Sequence, residues 1–241
     1  SRLVEFLGGP SLTTASAVYI TASDGVHPPP TPGLTASSLW GALENGEEIA
    51  RSLWDRKSLI AHLDIEYVNF DLPLEAYQYP SRAFRAQAPV VQSLEEVLVD
   101  HGISALHLIS GRGHHFVWRI TQSRLCFQRL AALGASCSFG LNESYSLAQP
   151  PCGEMVGAEL GAAYGGLGML MEYFAHLVLT GCRSRCSMSV QLTGVEAGPP
   201  AGRGREVVSI DLSESGDPLH HRTIRVPFGA YLKTRKWFPK S

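Results

Sequence analysis

Asp64 and Glu66, in the stretch LDIEYVNFD (Leu63 to Asp71), are placed to do chemistry together. Leu63, Ile65 and Tyr67 alternate with them in the period-two pattern of a half-buried strand, so both carboxylates fall on one face. Two negative charges on one face repel unless something positive lies between them: a solvated surface, a basic side chain or a metal ion. A second group is SGRGHHFVW, where a Ser-Gly-Arg-Gly turn joins two apolar strands and leads at once into His114 and His115. Successive strand residues face opposite ways, so of the two only His115 shares a face with Val117. A third is VVSIDLS, in which Asp211 ends a strand of Val207, Val208 and Ile210. Singly these read as a solvated edge, a hairpin turn and a strand terminus. Jointly they supply the parts of a metal-nucleotide site, because few, hard oxygen ligands suit Mg²⁺ or Mn²⁺ shared with phosphates. The expectation is a divalent metal between Asp64 and Glu66.

The elements that must hold these residues alternate without a strict βαβ rhythm, which predicts an α+β layered domain. The first forty residues are loose, with SDGVHPPPTPGLTASS an extended loop. TASSLWGALENGEEIARSLWDR predicts one helix, capped by Thr35 or Ser37, with Leu39, Leu43, Ile49 and Leu53 at helical spacing. SLIAHLDIEY is a strand, VQSLEEVLVDHG a helix from a Ser93 cap to Gly102, and ISALHLIS a buried strand. HHFVWRI is a strand and SRLCFQRLAALG a helix; AELGAAYGGLGMLMEYFAHLVLTG is one helix or two. EVVSIDLS and RTIRVPF are the last two strands. No internal repeat is visible.

The chain has 241 residues, 44% of them hydrophobic, enough for one large domain or two intimate lobes. A net charge of -2 excludes a global polycation, so any nucleic acid is held by a local basic groove. No apolar run approaches the ~20 residues of a membrane span, and SRLVEFLGGP lacks a signal peptide's apolar region. Five cysteines, an odd number in a chain this long, do not suggest a disulfide framework, and a reduced, cytoplasmic setting is expected.

DIE, SGRGHH and SID, in this order and rough spacing, resemble the three motifs of the archaeo-eukaryotic primase superfamily. That family includes primase small subunits, primase-polymerases and the polymerase domains of bacterial end-joining ligases. HHRTIRVPFGAYLKTR is similar to the stretch where these enzymes carry an arginine before a proline and, further on, a Lys-Thr pair. The likeness covers roughly Leu59 to Arg235, with Cys126 to Arg205 matching only in helical character. It implies a primase-type core with a central, mostly antiparallel, RRM-like sheet flanked by helices. The whole chain is then one catalytic domain, with residues 1–56 a mixed N-terminal lobe and 57–241 the core. The abrupt end after KWFPKS suggests a domain excised from a longer protein.

By the same resemblance, Asp64, Glu66 and Asp211 hold two Mg²⁺ or Mn²⁺ ions. His115 contacts the triphosphate of an incoming nucleotide, with Ser110, Arg112 and the Gly113 backbone beside it, and His114 fills the family's variable place. Arg225 and Lys233 add positive charge along the phosphates. Glu66 departs from the Asp that many members carry, which leaves a carboxylate but alters geometry. The implied activity joins dNTPs or NTPs on a single-stranded or primed template. The chemistry fits: two metals about 3.5–4 Å apart clamp the attacking and leaving oxygens. A glycine turn admits phosphate oxygens to backbone N–H groups. Histidine and arginine make charge-assisted phosphate contacts.

The alternative from another class is a non-catalytic single-stranded nucleic-acid-binding initiator module on the same scaffold. Three carboxylates facing a polyanion disfavour it. A metal-dependent nuclease gives no reason for His115, Arg225 and Lys233. Cys182 and Cys186, with Cys152, Cys137 or His176, form a weaker zinc candidate, since C-x₃-C is a loose spacing. Tyr67, Phe116 and Trp118 can stack a base but read more simply as core. Arg183, Arg185, Arg203 and Arg205 are template-backbone candidates or ordinary solvated loops. Asp71 reads as a turn residue before Pro73.

Overall fold

The structure is a computed structural model describing residues 2–9, 15–22, 36–136, 157–193, 206–213 and 223–232. The chain is α+β and divides into two compact units. One comprises Ser1–Ile60, Arg119–Gly166 and Asp217–Ser241; the other comprises Ala61–Trp118 and Leu167–Gly216.

The first unit contains a three-stranded antiparallel sheet in the order β1 (Ala17–Ala22), β2 (Glu48–Asp55), β8 (Thr223–Arg225). The short helix α1 (Arg2–Phe6) and the helices α2 (Ala36–Glu44) and α5 (Leu125–Ser136) belong to it. The single helix expected over Thr35–Arg56 is corrected to α2, a turn and β2. Gly46 takes φ 66, and the N–H groups of Gly46 and Glu47 donate to the carbonyls of Leu43 and Ala42, which ends the helix. Ile49 and Leu53 misled because a spacing of four falls on one face of a strand as well as of a helix. Both are buried in β2. Strand β1 lies in the stretch expected to be loose.

The second unit is built on a five-stranded sheet in the order β4-β5-β3-β7-β6. These strands are β3 (Ser58–Asn69), β4 (Leu106–Ile109), β5 (Gly113–Thr121), β6 (Val190–Thr193) and β7 (Glu206–Asp211). β4 and β7 run antiparallel to β5 and β3 respectively, and β6 runs parallel to β7. The expected buried strand β4 is instead the sheet's edge, with Ile109 72% exposed.

The short helix α3 (Glu75–Gln78) and the long helix α4 (Pro80–Asp100) follow β3. Leu63, Ile65 and Tyr67 of β3 and Val208 and Ile210 of β7 are buried on the sheet's apolar face. Tyr67 packs with Ala76 and Ala83, and the edge of Phe84 meets His114. Helix α4 thus covers this face. It begins at Pro80, well before the expected Ser93 cap. Pro80 is tolerated in the first turn, whereas Pro89 inside the helix reads in sequence as a boundary. Ser93 is interior, and its hydroxyl donates to the Val178 carbonyl of α6 (Ala158–Cys182) at 3.1 Å. The close approach needs Gly181, where a Cβ would stand 2.4 Å from Ser93 Oγ. The helix read as one or two is the single α6. Among the described residues no helix is long and apolar enough to cross a membrane.

Candidate active site

Asp64, Glu66 and Asp211 lie on one face of the five-stranded sheet, opposite to the face under α4. Asp64 pairs with Asp211 and Glu66 with Ser209 in the antiparallel β3–β7 register. Directly opposed residues project to the same side, and so do residues two apart. The carboxylates expected at two strand ends are therefore brought together by one strand pairing.

On the other side of β3, the Tyr67 N–H donates to the Arg112 carbonyl and the Gln122 N–H to the Lys57 carbonyl, each at 3.2 Å. These bonds run β5 antiparallel to β3 and set His115 across from Asp64. His115 Nδ1 is 3.3 Å from Asp64 Oδ1. One row across three strands thus reads His115, Asp64, Asp211, and Thr193 continues it in the parallel β6–β7 register.

The two histidines separate as their alternation requires. His114 faces α4, with Nδ1 2.7 Å from His107 Nε2. Burial, and secondarily His107, lower its pKa to about 4. His114 is thus a packing residue, and His115 is the one on the carboxylate face.

Glu66 faces a cation: its Oε2 is 2.5 Å from Arg112 Nη2. The structure therefore places basic side chains beside the acids of β3, Arg112 at Glu66 and His115 at Asp64. The turn that carries Arg112 is closed by the Ser110 N–H donating to the Gly113 carbonyl at 2.8 Å and the Gly113 N–H donating to Ser110 Oγ at 3.1 Å. Ser110 and the Gly113 N–H thus satisfy each other. Gly113 is required by close strand packing, since a Cβ there would stand 2.0 Å from the Ile65 carbonyl oxygen.

The remaining sequence candidates are placed as follows. Arg225 lies on β8 in the first unit, where its Nε pairs with the buried Glu48 and its guanidinium sits 4.4 Å over the Tyr231 ring. Arg185 is held by Glu96 through two hydrogen bonds, at 3.1 and 3.0 Å, which ties the turn after α6 to α4. Asp71 donates its N–H to Asn69 Oδ1, a turn contact. Tyr67 and Phe116 are core. Lys233, Arg203, Arg205, Cys137, Cys152 and Thr35 lie outside the described residues.

Cys182 is buried, and burial, with the nearby Cys186, pushes its thiol up to about 11. Among the described residues, no group of three His, Cys, Asp or Glu side chains is gathered tightly enough to hold a metal ion. The donor set on the sheet face nonetheless has the right chemistry for a hard cation: two opposed aspartates and a glutamate, all oxygen ligands.

Three residues of this face escaped the sequence reading. His62 sits two residues before Asp64 on the same strand, is 2% exposed, and places Nε2 2.8 Å from His115 Nδ1. Its signal was available: a histidine in phase with the acids of SLIAHLDIEY. Thr193 and Ser209 are both buried, their hydroxyls 2.6 Å apart, beside the acids. Ser209 shares its phase with Asp211, but Thr193 lies on a strand that VQLT does not announce.

In comparison with known proteins, no family model, no curated protein and no solved structure matches this chain.

Proposed function

We propose that the chain is a template-directed nucleotidyltransferase of the primase-polymerase type, its second unit being a core of the archaeo-eukaryotic primase kind. The observation that carries this reading is the row His115, Asp64, Asp211 across three adjacent strands, with Glu66 one pleat away. The motifs that resemble that family in sequence order are neighbours in space, on one face, with acids and histidine on the same side. A folding role alone does not favour opposing two aspartates in a sheet.

In this reading Asp64, Glu66 and Asp211 would hold divalent cations, which would supply Lewis-acid activation of the attacking oxygen and offset the charge on the leaving pyrophosphate. The chain's own groups do the rest. His115 donates to a phosphate oxygen of the incoming nucleotide, from a strand rather than a loop, so its position is fixed by pairing. Arg112 steers the Glu66 carboxylate by its short ion pair. His114 and the α4 contacts hold the β4–β5 hairpin in register behind them.

The test is incubation with Mn²⁺, a primer-template and labelled dNTPs or NTPs, with and without the primer. Incorporation that Asp64→Asn abolishes supports the reading. Tight single-strand binding without incorporation under any of these conditions points to the non-catalytic initiator module instead.

A further inference from the structure

Among the polar residues of the carboxylate face, His62 has no role in the reading above, yet its placement is specific. A buried histidine in the otherwise apolar start of β3 costs desolvation unless it is hydrogen-bonded, and a leucine would serve packing as well. Its partner is His115. The two rings lie with centroids 4.9 Å apart and 33° between planes, and His62 Nε2 meets His115 Nδ1 at 2.8 Å. His115 Nδ1 is also 3.3 Å from Asp64 Oδ1. The shorter distance lies within the hydrogen-bond range. The longer exceeds the roughly 2.7–2.9 Å of a charge-assisted N–H to carboxylate bond. The hydrogen bond at Nδ1 is therefore with His62.

Two neutral imidazoles joined by one hydrogen bond must divide roles, one donating and the other accepting. If His62 donates, His115 accepts at Nδ1 and carries its own proton at Nε2. If His115 donates, its Nε2 bears a lone pair, which repels an anion. We propose that His62 is a positioning residue. It donates through Nε2 to His115 Nδ1 and so holds His115 as the Nε2–H tautomer, ready to donate to an anionic phosphate. The contact itself is geometric, whereas its direction rests on the nucleotide reading above, since an anion needs a proton at Nε2. Asp64 supplies the opposing pull, since a carboxylate favours a proton on Nδ1. The second histidine offsets that pull.

Long-range proton–nitrogen NMR of histidine-labelled protein reads the tautomer directly, at a pH well above the ordinary imidazole range. Binding of tripolyphosphate and of a nucleoside triphosphate is measured beside it. Wild type is expected to show the Nε2–H pattern at His115. His62→Leu shifts His115 toward Nδ1–H and weakens triphosphate binding roughly three- to tenfold, the worth of one hydrogen bond. His62→Gln, whose side-chain amide places a donor near the lost Nε2, restores both. Should His62→Leu not fold, His62→Gln against the shorter His62→Asn makes the same comparison. An Nδ1–H pattern in wild type, or a His62→Leu protein with unchanged tautomer, overturns the proposal, as does a binding loss that Gln does not repair. A wild type that shows the Nε2–H pattern yet binds no triphosphate leaves the positioning role standing and overturns the nucleotide reading.

Discussion

Asp64 and Asp211 are directly opposed across the antiparallel strands β3 and β7. Like charges opposed in a sheet cost stability, so this pairing is a feature that folding does not ask for. His115 flanks Asp64 on the other side, and Arg112 faces Glu66. The face thus joins three carboxylates to two basic side chains.

Asp211→Asn should leave the fold intact and raise the stability of the metal-free protein by about 0.2–1 kcal/mol, the usual worth of a cross-strand charge pair. Urea unfolding without divalent ions measures it. A loss of stability means Asp211 makes a structural contact that matters more than repulsion; its carboxylate does accept the Ser213 N–H at 2.7 Å.

His115→Ala and His114→Ala should separate in ligand binding. The first weakens triphosphate binding roughly tenfold or more, the loss of a charge-assisted contact of ~1.5–3 kcal/mol, and lowers melting as well because buried His62 loses its partner. The second removes a buried ring packed on Phe84 and His107 and lowers stability. Titration calorimetry and thermal melts on both variants read the two effects; the reverse order contradicts the strand register.

Stability should fall with acid through a window set by His114. Its folded pKa is depressed to about 4 from an unfolded value near 6.5, so the unfolded chain takes up the proton first. The stabilisation is complete above about pH 6.5 and is lost as pH falls toward 4. His107 is lowered in the same direction by burial. His114→Phe should flatten the pH dependence of the unfolding free energy across that window.

Gly113→Ala should destabilise by about 1–3 kcal/mol or prevent folding, because the new methyl meets the Ile65 carbonyl. Equal stability with impaired triphosphate binding would instead assign the glycine to the ligand.

Much of the site was legible because strand alternation and register are set by local pattern. LDIEYVNFD placed its acids on one face, and HHFVWRI sent His115 one way and His114 the other. The pairing of β3 with β7 was not legible, since nothing local says which distant strand completes a sheet. The Thr35–Arg56 reading failed at Asn45–Gly46, where a turn passed for helix interior and an even spacing suited both structures. Helix α4 hid its start behind Pro89. The role of Arg185 depends on Glu96 of α4, which sequence order does not bring near it. The glycine turn was read toward phosphate alone, and the demand that the neighbouring strand makes on Gly113 was not legible.

The most direct measurement of the central claim is primer extension by wild type and by Asp64→Asn, Asp211→Asn and the double variant, each checked for folding by circular dichroism. Mn²⁺ and labelled nucleoside triphosphates are supplied throughout. The account predicts template-dependent extension by wild type and none by any variant. Extension by the correctly folded double variant at the wild-type rate would contradict it.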